Sequence, residues 1–409
     1  MYSLLRRSAN GLADDTIRFA QSLVRTPSPS LGEERVAALI EAKMKEHGYN
    51  EVFRDEFGNV VGILYGREGD PTIVLNSHMD TVREDCLGKW TDDPYGAVIR
   101  DGKLIGLGAA DCKGGIAAQV AAGAILRRSL LPLRGNLVVA ATVAEENGAS
   151  VGTRGLLGKT LPGMDLHPQA VILGEPTSLG MYYGHDGWVE LELLVEGDKR
   201  DAVETAARAI YDVLLQEESH ATQHAPHQEM QVHAPAFLTD DDGHQARLIV
   251  HRRLGAPRQL EHVRGQLHRH AQLVAPQDGR LVINVGVTEI PQTLYTGRQV
   301  SVQRVADAWQ SDPFDRAFER SRQCLAAAGC MVRPGKWHLS RLGMGTAGGM
   351  ITREFELPVF GYGPGDEEQA HQPNEFVDTS MMVEAAYGTA AIVHGLIGVP
   401  VFGWSVDEI

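Results

Sequence analysis

Apolar residues recur at helical spacing over residues 13–24, and again over 30–47 after a turn rich in proline and serine. This predicts helices across residues 10–48. Short β-branched runs come next. Residues 59–64 and 72–75 read as strands, the second running into Asn76-Ser77-His78. Beyond a loop with Trp90, Pro94 and Tyr95, residues 98–99 and 103–105 flank Asp101-Gly102 as the arms of a hairpin would. A helix is predicted over 114–126, with strands at 136–142 and 170–173. Strands alternating with helices predict an α/β domain whose sheet is largely covered.

The pattern changes near residue 187. Residues 188–195 alternate as a half-exposed strand, 200–215 have helical spacing, and 216–236 are polar and rich in histidine. A strand at 247–254, a helix at 259–273 and a strand at 281–287 complete a βα…βαβ order. That order fits a small α+β, ferredoxin-like unit inserted into the larger one. The α/β pattern then resumes with a helix at 315–328, a strand at 359–362 and a helix at 381–396. The predicted architecture is therefore a central mixed sheet flanked by helices, built from residues 1–184 and 300–409, with 185–299 inserted. No internal repeat interrupts it.

Composition narrows the classes. The chain of 409 residues is 43% hydrophobic, enough for a sizeable core, and carries 38 basic against 53 acidic residues. A net charge of −15 argues against a protein built to grip nucleic acid. Cys86, Cys112, Cys324 and Cys330 include no CxxC pair and read as free thiols of a reducing compartment. The start, MYSLLRRSANGLADD, lacks the apolar centre of a signal peptide. The apolar stretch 116–126 is too short for a bilayer. The expectation is a cytoplasmic protein with neither nucleic acid nor membrane as partner.

Five short segments carry acids and histidines: Ser77-His78-Met79-Asp80, Ala110-Asp111-Cys112-Lys113, Ala144-Glu145-Glu146-Asn147, Gly174-Glu175-Pro176-Thr177 and Ala370-His371-Gln372-Pro373-Asn374-Glu375. Four of them trail an apolar, strand-like run, and the carboxyl ends of strands in an open α/β sheet are where ligands collect. Acids gathered there are costly unless protonated, paired or bound to a cation. Imidazole and carboxylate together suit zinc. In His78-x-Asp80 the period of two puts both side chains on one side, so that Asp80 can orient His78. A lone HxD or EE pair is commonplace; five such segments in order are not. The GxG of Gly106-Leu107-Gly108 suggests a dinucleotide loop. Its third glycine is replaced by Asp111 and no GK[ST] follows, so both nucleotide readings fail.

These segments resemble the di-zinc metallopeptidases that include acetylornithine deacetylase, succinyl-diaminopimelate desuccinylase and glutamate carboxypeptidase. The likeness runs over about residues 15–398 and is strongest in SHMDTV, in the stretch ending GLGAADCKGGIAA, and in AEEN, GEPT and GYGPGDEEQAHQPNE. It implies a zinc-peptidase-like catalytic domain, with 185–299 as a lid through which two chains form a homodimer. It also implies two Zn²⁺ per chain, with Co²⁺ or Mn²⁺ as substitutes. His78, Asp111 and Glu175 would hold one ion; Asp111, Glu146 and His371 would hold the other. Glu145 would be the general base, Asp80 the partner of His78, and the Asp111–Cys112 peptide would be cis. Cys112 reads as a small buried neighbour of the site.

Two departures bear on function. Where the family carries a GxxxHxxxP-like stretch, this chain reads VEGDKRDAVETAARA, without histidine; His185 or the segment with His220, His224 and His227 could substitute. The family's GTSDGR-type loop corresponds to Gly345-Thr346-Ala347-Gly348-Gly349-Met350, with no acid or arginine. Arg341, Arg252 and Arg253, together with Thr346, are the residues left to meet a substrate carboxylate. The expected activity is cleavage of an N-acyl amino acid or a dipeptide by metal-activated water. The alternative is a non-catalytic binding or assembly protein that keeps the fold.

Overall fold

The computed structural model describes residues 1–84, 88–148, 150–224, 229–240, 243–275, 281–338 and 343–399. An eight-stranded mixed sheet runs in the order Glu51–Arg54, Val60–Leu64, Asn136–Thr142, Thr72–His78, Pro168–Leu173, Val359–Gly361, Met181–Tyr182 and Pro334–Gly335. Its four middle strands, Asn136–Thr142 to Val359–Gly361, are parallel to one another. Every residue of Thr72–His78 and Asn136–Thr142 is buried, as expected of parallel strands covered on both faces.

Alternation along these strands feeds two cores. Ile73, Leu75, Leu137, Val139 and Ile172 enter one layer, closed by the helices Tyr2–Val24, Gly114–Ser129 and Thr379–Ile397. Val74, Val138, Ala140, Val171 and Leu173 enter the other, beneath Leu156, Trp309, Trp337 and Ile351. Helix Thr379–Ile397 is long and apolar enough to cross a membrane, but it is mostly buried and serves here as a core helix. Gly115 lets the Gly114–Ser129 helix rest directly on the main sheet. A Cβ there would stand 1.9 Å from the Gly174 carbonyl oxygen, immediately before Glu175.

The first helix begins at Tyr2, well before residue 13, because Leu5, Ala9 and Leu12 continue its buried stripe. Arg6, whose charge obscures that stripe in sequence, pairs with Glu384 and stacks 3.6 Å from the centre of the Tyr387 ring. The polar stretch after residue 215 is not all loop. Helix Arg200–His224 continues through it, anchored by buried Leu214 and Ala221, so His220 and His224 are helical. His227 and Cys86 lie outside the described residues; Cys112, Cys324 and Cys330 are free.

A second sheet centres on Gly187–Gly197, paired antiparallel with Gly243–Leu254 and Val282–Val287. Val189, Leu191, Leu193 and Val250 form its own core with helices Arg200–His224 and Leu260–Val274. Among the described residues three strands of this sheet lie outside the predicted ones, the first being Met230–Val232, which pairs with Gly243–Leu254. Ala236–Asp240 pairs with Gly243–Leu254, and Val305–Ala306 pairs with Trp188 and Val189, past residue 299.

Candidate metal centre

Three neighbouring parallel strands deliver most of the predicted ligands to one end of the sheet. His78 is the last residue of Thr72–His78, Glu145 and Glu146 follow Asn136–Thr142, and Glu175 follows Pro168–Leu173. Asp111 enters from the turn before the Gly114–Ser129 helix, where the Asp111–Cys112 peptide is cis as the resemblance implies. His371 comes from the loop before Phe376–Asp378, with φ +56.

Asp111 stands in the middle. Its Oδ1 lies 3.0 Å from His78 Nε2, and its Oδ2 lies 3.7 Å from His371 Nε2. Glu175 Oε2 is 3.6 Å from His78 Nε2, and Glu146 Oε2 is 2.8 Å from His371 Nε2. The donor atoms of His78, Asp111 and Glu175, with the Cys112 sulfur, all lie within 4.8 Å of one another, as do those of Asp111, Glu146 and His371. Asp111 therefore belongs to both groups. Nitrogen and oxygen donors converging at two adjacent points fit a pair of divalent cations of the zinc type.

The surrounding charge supports that fit. Burial, opposed by His78 and reinforced by Asp111 and Glu146, raises the Glu175 carboxyl to about 7. Burial also drives the Glu145 carboxyl well up, with Glu175, Glu146 and Asp80 adding to the effect. For His371 burial acts downward, but the carboxylates of Glu146 and Asp111 win and raise it to about 9. Glu145 and Glu175 hold on to protons and His78 and His371 gain them, while Asp111, though buried, is held below the usual carboxylate range by the two histidines it faces; buried anions behave in this way when protons must do the work of cations. Burial pushes the Cys112 thiol up, so it stays an S–H, 3.5 Å from the His78 carbonyl oxygen. It acts as a packed neighbour and not as a thiolate ligand.

Asp80 plays a broader part than orienting one ring. His78 Nδ1–H donates to the Asp80 backbone oxygen at 2.9 Å, while the nearer carboxylate oxygen is 3.6 Å away. That carboxylate accepts instead from Glu145 N and Glu146 N, both at 3.0 Å, and from Ser30 Oγ at 2.7 Å. Two further residues were given no role by the sequence pattern. Glu375 accepts from the backbone of Gly108, Ala110 and Asp111 at 2.7–2.9 Å, pinning the turn that carries Asp111. Glu33 is fully buried and accepts from Leu31 N at 3.0 Å and Ala144 N at 3.1 Å.

Nothing local in Ser30-Leu31-Gly32-Glu33 signals the second contact, which is made to a residue 111 positions away. Ala144 has φ +53, a conformation that an L residue adopts only when held. Glu33→Ala should therefore release the backbone ahead of Glu145 and lower turnover about tenfold at unchanged metal content, a loss typical of one buried charged hydrogen bond. Steady-state kinetics with Glu33→Gln, which keeps an acceptor oxygen, checks this; equal losses in both variants would remove the backbone hold as the cause.

The substrate-side residues are dispersed. Arg253 pairs with Glu229 at 2.6 Å, and Arg252 lines a groove with Glu217 and His270 between two helices of the second unit. Neither borders the cavity over the acids, and Arg341 lies outside the described residues. Thr346 sits beside that cavity, but its hydroxyl is 2.9 Å from His185 Nε2, which also accepts from Thr346 N. Burial lowers the His185 pKa to about 4, leaving a neutral ring whose Nδ1–H donates to the Asp186 carbonyl. The cavity itself is small, ≈ 20 Å³, and its lining includes Asp111, Glu145, Glu146, His371, Trp188 and Gly345.

Residues 74–395 match Peptidase family M20/M25/M40. The chain is 28% identical over 407 residues to the uncharacterized protein YgeY of Escherichia coli K12, covering 96% of each. It is 34% identical over 192 residues to succinyl-diaminopimelate desuccinylase 2 of Ruegeria sp., covering 45% of this chain and 48% of that one. Its fold is that of the di-peptidase Dug1p from Saccharomyces cerevisiae (TM-score 0.69, 13% identity, 97% and 98% covered). It is also that of the dinuclear metal-binding peptidase YXEP from Bacillus subtilis (TM-score 0.67, 15% identity, 95% and 99% covered). With its acids and histidines gathered around Asp111, the chain belongs to peptidase family M20/M25/M40, and its reaction is metal-dependent hydrolysis of an amide bond.

Proposed function

We propose that the protein is a di-zinc hydrolase of a small amino-acid-derived amide, with an N-acyl amino acid as the first substrate class and a dipeptide as the second. The observation that carries this is the placement of Asp111 between two histidines, with Glu145 beside it in the same cavity. In this reading His78, Asp111 and Glu175 hold one ion, and Asp111, Glu146 and His371 hold the other. Two divalent cations there supply Lewis acidity, which makes water acidic near neutral pH and draws electrons from the amide carbonyl. Glu145 takes the proton from the attacking water and returns it to the leaving nitrogen. Asp80 holds the backbone of Glu145 and Glu146 and, through its own carbonyl, the ring of His78. Glu375 holds Asp111 in register.

The N-acyl reading draws support from the desuccinylase likeness, and the dipeptide reading from the shared fold of the yeast di-peptidase. A lid role for residues 185–299, a homodimer through that unit and a cytoplasmic location belong to the same proposal. The test is metal analysis of the purified protein together with primary-amine release from a panel of N-acyl amino acids and dipeptides. About two zinc ions per chain and turnover on one class are expected. Absence of bound metal with zinc supplied would sink the reading.

A further inference from the structure

Trp188 lies near the start of the long strand Gly187–Gly197 of the second sheet, yet it borders the cavity over the acids. Trp188 is 2% exposed, and its Nε1–H has no hydrogen-bond partner among the described residues. An indole N–H can only donate, and a buried donor without an acceptor is disfavoured, so this one is left to donate to something beyond the described residues.

The ring is fixed with that edge toward the cavity. Gly148, at φ +93, comes so close that a Cβ there would stand 2.7 Å from Trp188 Cζ2; a Cβ on Gly345 would stand 3.7 Å from Nε1. Cζ2 and Nε1 are attached to the same ring carbon, so one edge of the indole faces both glycines, and both glycines line the cavity. The Arg304 guanidinium lies 5.0 Å from the ring centroid and donates to the Asn147 carbonyl. Trp309 also has an unpaired buried Nε1–H, but it packs on Gly348 and does not border the acids.

We propose that Trp188 Nε1–H is a catalytic hydrogen-bond donor to the substrate's carbonyl oxygen, on which negative charge builds as water attacks. This rests on the amide-hydrolase reading of the same cavity. A fixed donor placed before the reaction begins needs no reorganisation as the charge appears, and it has no proton to lose over the working pH range. The space is apolar enough on the tryptophan side and small enough that few waters compete with the substrate oxygen.

The test uses the zinc-loaded protein and a phosphinic pseudodipeptide of two alanines, whose tetrahedral phosphorus stands in for the attacked carbon. In ¹⁵N-tryptophan-labelled protein the Trp188 indole resonance, assigned by its loss in Trp188→Phe, should move downfield on saturation. Trp188→Phe should lose about 100-fold in kcat with a much smaller change in KM. Incorporation of benzothienylalanine, which puts sulfur in place of N–H and keeps the shape, should reproduce that loss. Phosphinate binding with an unmoved Trp188 resonance, or full activity of the sulfur analogue, would overturn the donor role alone. Failure of the zinc-loaded wild type both to bind the phosphinate and to hydrolyse any amide would overturn the hydrolase reading and this role with it.

Discussion

Glu145→Gln is expected to lose turnover by about 10²–10⁴-fold while retaining its metal. Glu145 is buried, borders the cavity, and stands outside both ligand groups around Asp111. Ser150 Oγ donates to its Oε1 at 3.3 Å, a contact that the glutamine carbonyl can still accept. Glutamine keeps the shape and the hydrogen bond to Ser150 but cannot take a proton from water. Its neighbour Glu146 is engaged with His371 at 2.8 Å, so one carboxylate is tied while the other is free to move protons. Metal analysis and single-turnover kinetics on the same preparation make the check. Metal lost together with turnover would put Glu145 among the ligands; turnover near wild type would remove it from the chemistry.

Asp111→Ala should abolish both activity and stable metal occupancy, with metal content falling from about two ions to well below one per chain. Each of the other ligands serves one group, but Asp111 faces His78 with one oxygen and His371 with the other. Removing it leaves both sites short at once. The variant should also lose the thermal response to zinc. A ligand that binds only the folded state stabilises it by ~2.7 kcal/mol for each site at a hundredfold excess over Kd. Wild-type protein should therefore melt higher with zinc than after chelation, and Asp111→Ala should melt alike in both. A variant that still holds two ions would break the assignment of Asp111 as the shared ligand.

Much of the site is legible because its residues are chemically expensive. His78, Glu145 and Glu175 each close an apolar strand, and no soluble core keeps such groups at strand ends without a reason. The main strands are legible for a related cause: burial on both faces demands continuous apolar runs such as Thr72–Leu75, visible without a partner. Surface helices offer no such demand. Arg200–His224 runs through a histidine-rich segment that reads as loop, because among the described residues of its late turns only Leu214 and Ala221 are buried. The strand Ala236–Asp240 is held by pairing with a neighbour and not by its own pattern.

The residues that position the site show the same division. Glu375 and Glu33 are ordinary acids in sequence. Their carboxylates matter because folding sets them against the backbone N–H groups of Asp111 and Ala144, 264 and 111 residues away. Asp80 could be read as an acid spaced to meet His78. That its backbone oxygen takes the ring while its carboxylate holds Glu145 and Glu146 depended on where the next strand ended. Arg252 and Arg253 are adjacent in sequence and so point to opposite faces of one strand, and neither side chain borders the acids. By itself the sequence determined the family chemistry, since metal ligands are specified by residue type and by the strand ends that present them. Tertiary structure alone decided which acids position and which react, and it set the Trp188 N–H at the cavity. Those roles arise from distances between segments far apart in the chain, and no local pattern encodes them.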